Sequence, residues 1–179
     1  MASTDSNLLS FSRAAGTVGL GIAAGYLTGI SASTMPVLFS IDTLAPRDRL
    51  HFWSKTYDVG KSHMAPTFFL TSALFSYSTY AAIAPATWAP ANWIARHRKY
   101  VLGACAASAL FNVVFTVAAM GKTIKAGKSA EAKIIKDAST GNGQEETDYI
   151  IQDWASLHTV RTVNTIIAFV LAVAELVSV

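Results

Sequence analysis

Residues 14–40 read AAGTVGLGIAAGYLTGISASTMPVLFS, a stretch without a charged side chain inside the longer gap between Arg13 and Asp42. About 20 largely apolar residues cross the hydrocarbon core of a bilayer, so this segment reads first as a membrane span. Working outward, a second run free of charged residues lies between His63 and Arg96 and a third between Lys99 and Lys122, each 22 residues or longer. A fourth, from Arg161 to Val179, is interrupted by Glu175 and gains ample helix length when Trp154 to Val160 is added. The expected fold is all-α, a four-helix transmembrane bundle forming a single domain over 1–179. Its spans fall at about 14–40, 64–86, 100–121 and 155–178, with a polar connection over 122–153.

Composition agrees. Of 179 residues, 52% are hydrophobic and 14% charged, against about 25% charged in an average globular chain, and the mean hydropathy is +0.38. One cysteine, Cys105, allows neither an internal disulfide nor a cysteine-based zinc site. A net charge of +3 is too small to suggest a nucleic-acid partner. The partners expected instead are the lipid bilayer and an apolar aromatic small molecule. Acid–base or metal chemistry near neutral pH falls largely to His51, His63, His97 and His158.

No basic region precedes Arg13, and the apolar run after it exceeds a signal-peptide core, so the first span is expected to be retained. The expected location is a membrane, crossed several times, an endoplasmic reticulum or other endomembrane in a eukaryote. Nine lysines and arginines in the first and third connections against four on the other side put those two connections in the cytosol by the positive-inside rule. Gly21, Gly25, Gly29 and Ser33 place a small residue at every fourth position of the first span. That stripe suits close packing with another helix, in this chain or in a second copy.

The polar residues gather at one end of this topology. The second helix begins there with His51, Trp53, Tyr57, Asp58, Lys61 and His63, and the fourth with Asp153, Trp154, His158 and Arg161; the third ends there with Asn112, Thr116 and Met120. At 100° per residue, Trp154, His158 and Arg161 share one helical face, as do Trp53, Tyr57, Gly60 and Met64. Trp53 and Trp154 also fit an interfacial aromatic belt, and Lys61 and His63 an interfacial position. His158 with Arg161 is a stronger signal, because ionisable groups within a span usually face the bundle interior. Gly121 to Ser129 fails as a phosphate-binding loop, having five residues between its glycines and no preceding strand. No histidine pair has metal-ligand spacing on one helix, so a metal site would need separate helices.

On these residues the chain resembles the anthrone oxygenase-like family of small four-helix integral membrane proteins. The resemblance rests on the Gly- and Ser-rich opening helix ending near Pro36, on a W-x-x-x-Y-x-x-G-x-x-x-x-x-P segment (Trp53, Tyr57, Gly60, Pro66), and on Phe115, Thr116 and Met120. It rests above all on a closing W-x-x-x-H-x-x-R motif, here Trp154, His158 and Arg161. Where many members carry Pro-x-Asn after the Met, this chain has Gly121, Lys122 and Thr123. The resemblance implies an enzyme of aromatic polyketide metabolism, a monooxygenase that oxidises an anthrone to a quinone with dioxygen as co-substrate and no cofactor. In it His158 would be the base and Arg161 the oxyanion partner. Trp53, Tyr57, Lys61, His63, Asn112, Thr116, Met120 and Trp154 would bind the substrate. Two alternatives stay open at this point: a non-catalytic protein that binds or hands on an apolar metabolite, and a metal- or haem-dependent oxidase using His158 with His51 or His63.

Overall fold

The computed structural model describes residues 2–82, 93–136 and 144–178, and among these there is no strand. Helix α1 (Ala2–Gly29) continues through one π-helical turn, Ile30–Thr34, into α2 (Met35–Ser40). The wide turn precedes Pro36, which lacks an N–H and whose ring would press on the carbonyl of Ala32. With Met35 N–H bonded to Ile30 O, five residues back, the helix widens enough to continue.

Helix α3 (Pro46–Ala81) starts well before the expected second span. Ala45 is extended, Pro46 occupies the first turn and Asp48 follows it, a favourable helix start. The charged segment 47–63, which precedes the expected span, is therefore helical throughout, with His51, Trp53, Tyr57 and Lys61 in the first half of the helix. Buried Arg49 ties this start down, donating from Nη2 to Ile41 O (2.9 Å) and from Nε to Leu44 O (3.3 Å), and pairing through Nη1 with Asp148 at 3.0 Å. The last residues of the expected span, 83–86, lie outside the described residues.

A single turn α4 (Trp93–Arg96) leads into α5 (Arg98–Ala118). The expected polar connection resolves into α6 (Gly121–Lys136) and the first turns of α7 (Gln144–Val177), where Glu145 and Glu146 favour the helix N-terminus. Between them, residues 137–143 of that connection lie outside the described residues.

Neighbours in sequence are neighbours in space: α1 packs on α3, α3 on α5, α5 on α7 and α7 back on α1. This is the cycle of an antiparallel four-helix bundle. Asn7–Ser40, Arg98–Ala118 and Gln144–Val177 are each long and apolar enough to cross a membrane, and the chain is an integral membrane protein. Helix α3 is as long, but its first half is charged and its second, from Met64 to Ala81, interleaves Ser, Thr and Tyr with the apolar residues.

Of the expected stripe on α1, Gly21 packs within the bundle while Gly25 and Gly29 do not, and Gly16 and Gly19 add a close approach outside it. Gly16 lies against the Phe75 ring and Gly19 against the Thr71 hydroxyl, which brings α1 close to α3; Gly21 meets Phe169 of α7, whereas Gly25 and Gly29 face open space. The packed interior divides into two clusters. One is built around Leu20, Phe75, Leu102 and Ala172; the other, around Leu50, Trp53, Ile151 and Trp154, is covered by α6.

At the end of the bundle where α1 begins, Glu175 is buried between two arginines. Arg13 donates from Nε to Oε2 (2.9 Å) and from Nη2 to Oε1 (2.8 Å), and Arg98 Nε reaches Oε1 at 2.8 Å. Glu175, which interrupts the fourth apolar run in the sequence, is thus the anchor of the Arg13 end.

Candidate functional site

A cavity of about 530 Å³ opens at the other end, where the two interior clusters meet. Leu27, Met64 and Phe68 of the first cluster and Ile30 and Trp154 of the second line it, so its walls are largely apolar. This volume lies within the range of about 300–1,000 Å³ common to small-molecule sites. All of α1, α3, α5, α6 and α7 contribute to its wall.

Helix α7 supplies the two residues with most chemical potential. His158 is 2% exposed and lies flat against Trp154, their centroids 4.7 Å apart and planes 15° from parallel. Its Nε2 is 3.4 Å from Leu27 O, which can only accept, so in the neutral ring the proton sits on Nε2. Nδ1 is then the lone pair, and it has no partner. The Leu27 carbonyl lies one turn before the π-helical segment, so the irregularity in α1 adjoins the site.

Arg161, one helical turn further along and 9% exposed, has an unpartnered Nε and no carboxylate paired with it among the described residues. Its guanidinium stands 6.0 Å from the Phe68 ring centroid, a cation–π distance. Buried polar atoms are nearly always hydrogen-bonded. Here four unpartnered ones, Asn112 Oδ1, Trp154 Nε1, His158 Nδ1 and Arg161 Nε, belong to residues lining one cavity.

Of the residues singled out from sequence, Tyr57, Lys61, Asn112, Thr116, Trp154, His158 and Arg161 line this cavity together. Trp53, His63 and Met120 do not. Trp53 is fully buried behind the wall, stacked on Tyr57 at 6.2 Å and edge-on to Trp154 at 6.0 Å, with Gly127 of α6 against its ring. Met120 is buried in the same cluster. His63 is exposed and its Nδ1 is 2.8 Å from Val59 O on its own helix. Because exposed His51 pairs with Glu131 at 2.9 Å, neither it nor His63 joins His158, and the described residues hold no group of three His, Cys, Asp or Glu able to bind a metal.

Sequence reasoning missed Tyr26 and Leu27 of α1, Ile30 of the π-helical turn and Lys122 and Lys125 of α6 as lining residues. A tyrosine set in a Gly/Ala-rich span was the one available signal. Gly60, the glycine of the aromatic segment on α3, makes room for it: a Cβ there would stand 3.3 Å from Tyr26 Oη.

The sequence pattern of the family described as anthrone oxygenase matches residues 53–171, which takes in every lining residue of α3, α5, α6 and α7. The chain belongs to this anthrone oxygenase family. No curated protein and no solved structure matches it. The family assignment supports an oxygenase-like activity, and the matched segment contains both His158 and Arg161.

Proposed function

We propose that this anthrone oxygenase family member oxidises an anthrone-like phenolic tricycle, of the kind aromatic polyketide pathways make, to the corresponding quinone with dioxygen. What carries the reading is a buried imidazole with a free lone pair, one turn from a buried arginine without a counter-ion among the described residues, in the wall of an apolar cavity. The central methylene of an anthrone is acidic because its conjugate base is an aromatic hydroxyanthracene anion. His158 Nδ1 takes that proton as general base, and Arg161 opposes the charge that gathers on the ring oxygen.

The carbanion gives one electron to dioxygen and couples with it to form a C–O bond, leaving a hydroperoxide after protonation. Loss of the second methylene hydrogen as a proton, with cleavage of the O–O bond, yields the carbonyl and water. One oxygen atom thus enters the product, the other leaves as water, and dioxygen is the sole oxidant. No resident cofactor enters this balance. Tyr57 and Trp154 flank the ring system, while Trp53 braces both from behind.

The test is dioxygen uptake together with quinone absorbance, using metal-stripped protein in detergent, a polyhydroxylated anthrone and subtraction of autoxidation. His158→Ala and Arg161→Ala are each expected to lower turnover at least ~100-fold while the protein stays folded. Near-normal turnover in both variants would overturn the mechanism, and activity that vanishes on metal stripping and returns with metal would overturn its cofactor-free form. Saturable anthrone binding without uptake would assign the cavity to a carrier instead.

A further inference from the structure

We infer that the cavity is built for an acid: an aromatic polycycle bearing a carboxylate, held at the mouth by Lys61, Lys122 and Lys125. This rests on the same cavity as the oxygenase reading and narrows its substrate class. Four cationic residues line the cavity, Lys61 from α3, Lys122 and Lys125 from α6 and Arg161 from α7, and among the described residues no Asp or Glu lines it. The three lysines are exposed, whereas Arg161 is more than nine-tenths buried with its Nε unpartnered.

Four acids of this end are engaged elsewhere. Asp58 pairs with Lys128 at 2.7 Å, Glu131 with His51 at 2.9 Å and Asp148 with Arg49 at 3.0 Å, and Asp153 accepts from the Thr123 hydroxyl. Lys61, Lys122 and Lys125 make no ion pair or hydrogen bond among the described residues. Lysines that only reach for water need not converge. These come from two helices onto one opening, and low-dielectric walls concentrate their field there.

Arg161 inside and the lysines outside therefore offer two separate anion sites along one apolar slot. A neutral polyphenol uses only the inner site, at the oxygen that gains charge during reaction. A carboxylated ring uses both.

The experiment compares two probes that cannot turn over, anthraquinone-2-carboxylate and its uncharged isostere anthraquinone-2-carboxamide. Each is titrated into the full chain in phosphatidylcholine nanodiscs, with empty discs as the partition control and tryptophan quenching as the readout. The carboxylate is expected to bind ~10-fold or more tightly, with the preference shrinking as salt rises. Joint substitution Lys61→Gln, Lys122→Gln and Lys125→Gln is expected to abolish the preference and leave carboxamide affinity in place. The matching triple change to Arg is expected to keep the preference.

Equal affinity of the two probes for the unsubstituted chain, or a preference that survives the Gln changes, overturns the inference. Both outcomes leave the oxygenase reading intact, since binding is read without turnover. Conversely, a clear carboxylate preference in a chain that takes up no dioxygen upholds the acid site and removes the oxygenase.

Discussion

At the Arg13 end of the bundle one buried carboxylate is shared by two arginines; at the His158 end a comparably buried arginine has no carboxylate partner among the described residues. Arg13, 5% exposed at its side chain, spends its donors on both oxygens of Glu175 and on its main-chain oxygen. Arg161 instead sits among Phe68, Trp154 and Tyr57 around an open volume. Burying a charge is strongly unfavourable unless it is paired and hydrogen-bonded. A satisfied buried arginine is therefore accounted for by the fold, and an unsatisfied one points to a group outside the chain.

The largest expected effect tests this contrast in stability. Glu175→Ala leaves Arg13 buried without a partner, a change that costs about 3–5 kcal/mol. It should show as a steep fall in melting temperature in detergent. Arg161→Met removes no pair and replaces an uncompensated guanidinium with an apolar chain of similar length, so its melting temperature is expected at or above that of the unsubstituted protein. If Arg161→Met melts as early as Glu175→Ala, the two arginines play the same structural part and the distinction between the ends is lost.

The features legible in sequence were those set by local periodicity. Uncharged runs marked three helices that are long and apolar enough to cross a membrane, and the 3.6-residue repeat put Trp154, His158 and Arg161 on one face of a helix that the structure turns toward the cavity. Glu175 misled because its partner Arg13 stands 162 residues away in the chain, a distance no window of sequence crosses. The partners of the charges at 47–63 were hidden because the helices they pack against are unknown from sequence. Here α6 and α7 cover that segment, and its charges find Asp148, Glu131 and Lys128. Trp53 shows a different limit: it shares a face with Tyr57, yet it supports the cavity wall without lining it.

A smaller effect concerns how α6 holds the His158 end in shape. A Cβ on Gly127 would drive into the Trp53 ring, which Tyr57 and Trp154 hem in on other sides. Gly127→Ala is expected to destabilise by about 1–3 kcal/mol through overpacking, with a shifted tryptophan emission and weaker binding of an aromatic probe. Gly25→Ala, which faces open space in α1, serves as the comparison and should change neither emission nor binding. Equal behaviour of the two variants would mean that α6 does not shape the site.

The smallest effect belongs to a charge pair that water reaches. His51 is 55% exposed at its side chain, so its bridge to Glu131 should contribute far less than the Arg13–Glu175 pair, typically under about 1 kcal/mol. Partial burial works to raise the Glu131 carboxyl. Hydrogen bonds from Ser54 and His51 and the charges of Lys128 and His51 outweigh it and hold the group below the usual glutamate range. A depressed carboxylate contributes stability above its unfolded pKa, about 4.3, and loses it as pH falls through the lower folded value. Melting curves of the unsubstituted protein and Glu131→Gln should therefore differ slightly at neutral pH and converge in acid below that range. A gap as wide as that from Glu175→Ala would show that solvation does not separate strong pairs from weak ones in this bundle, and the unpaired state of Arg161 would then lose its meaning as a sign of function.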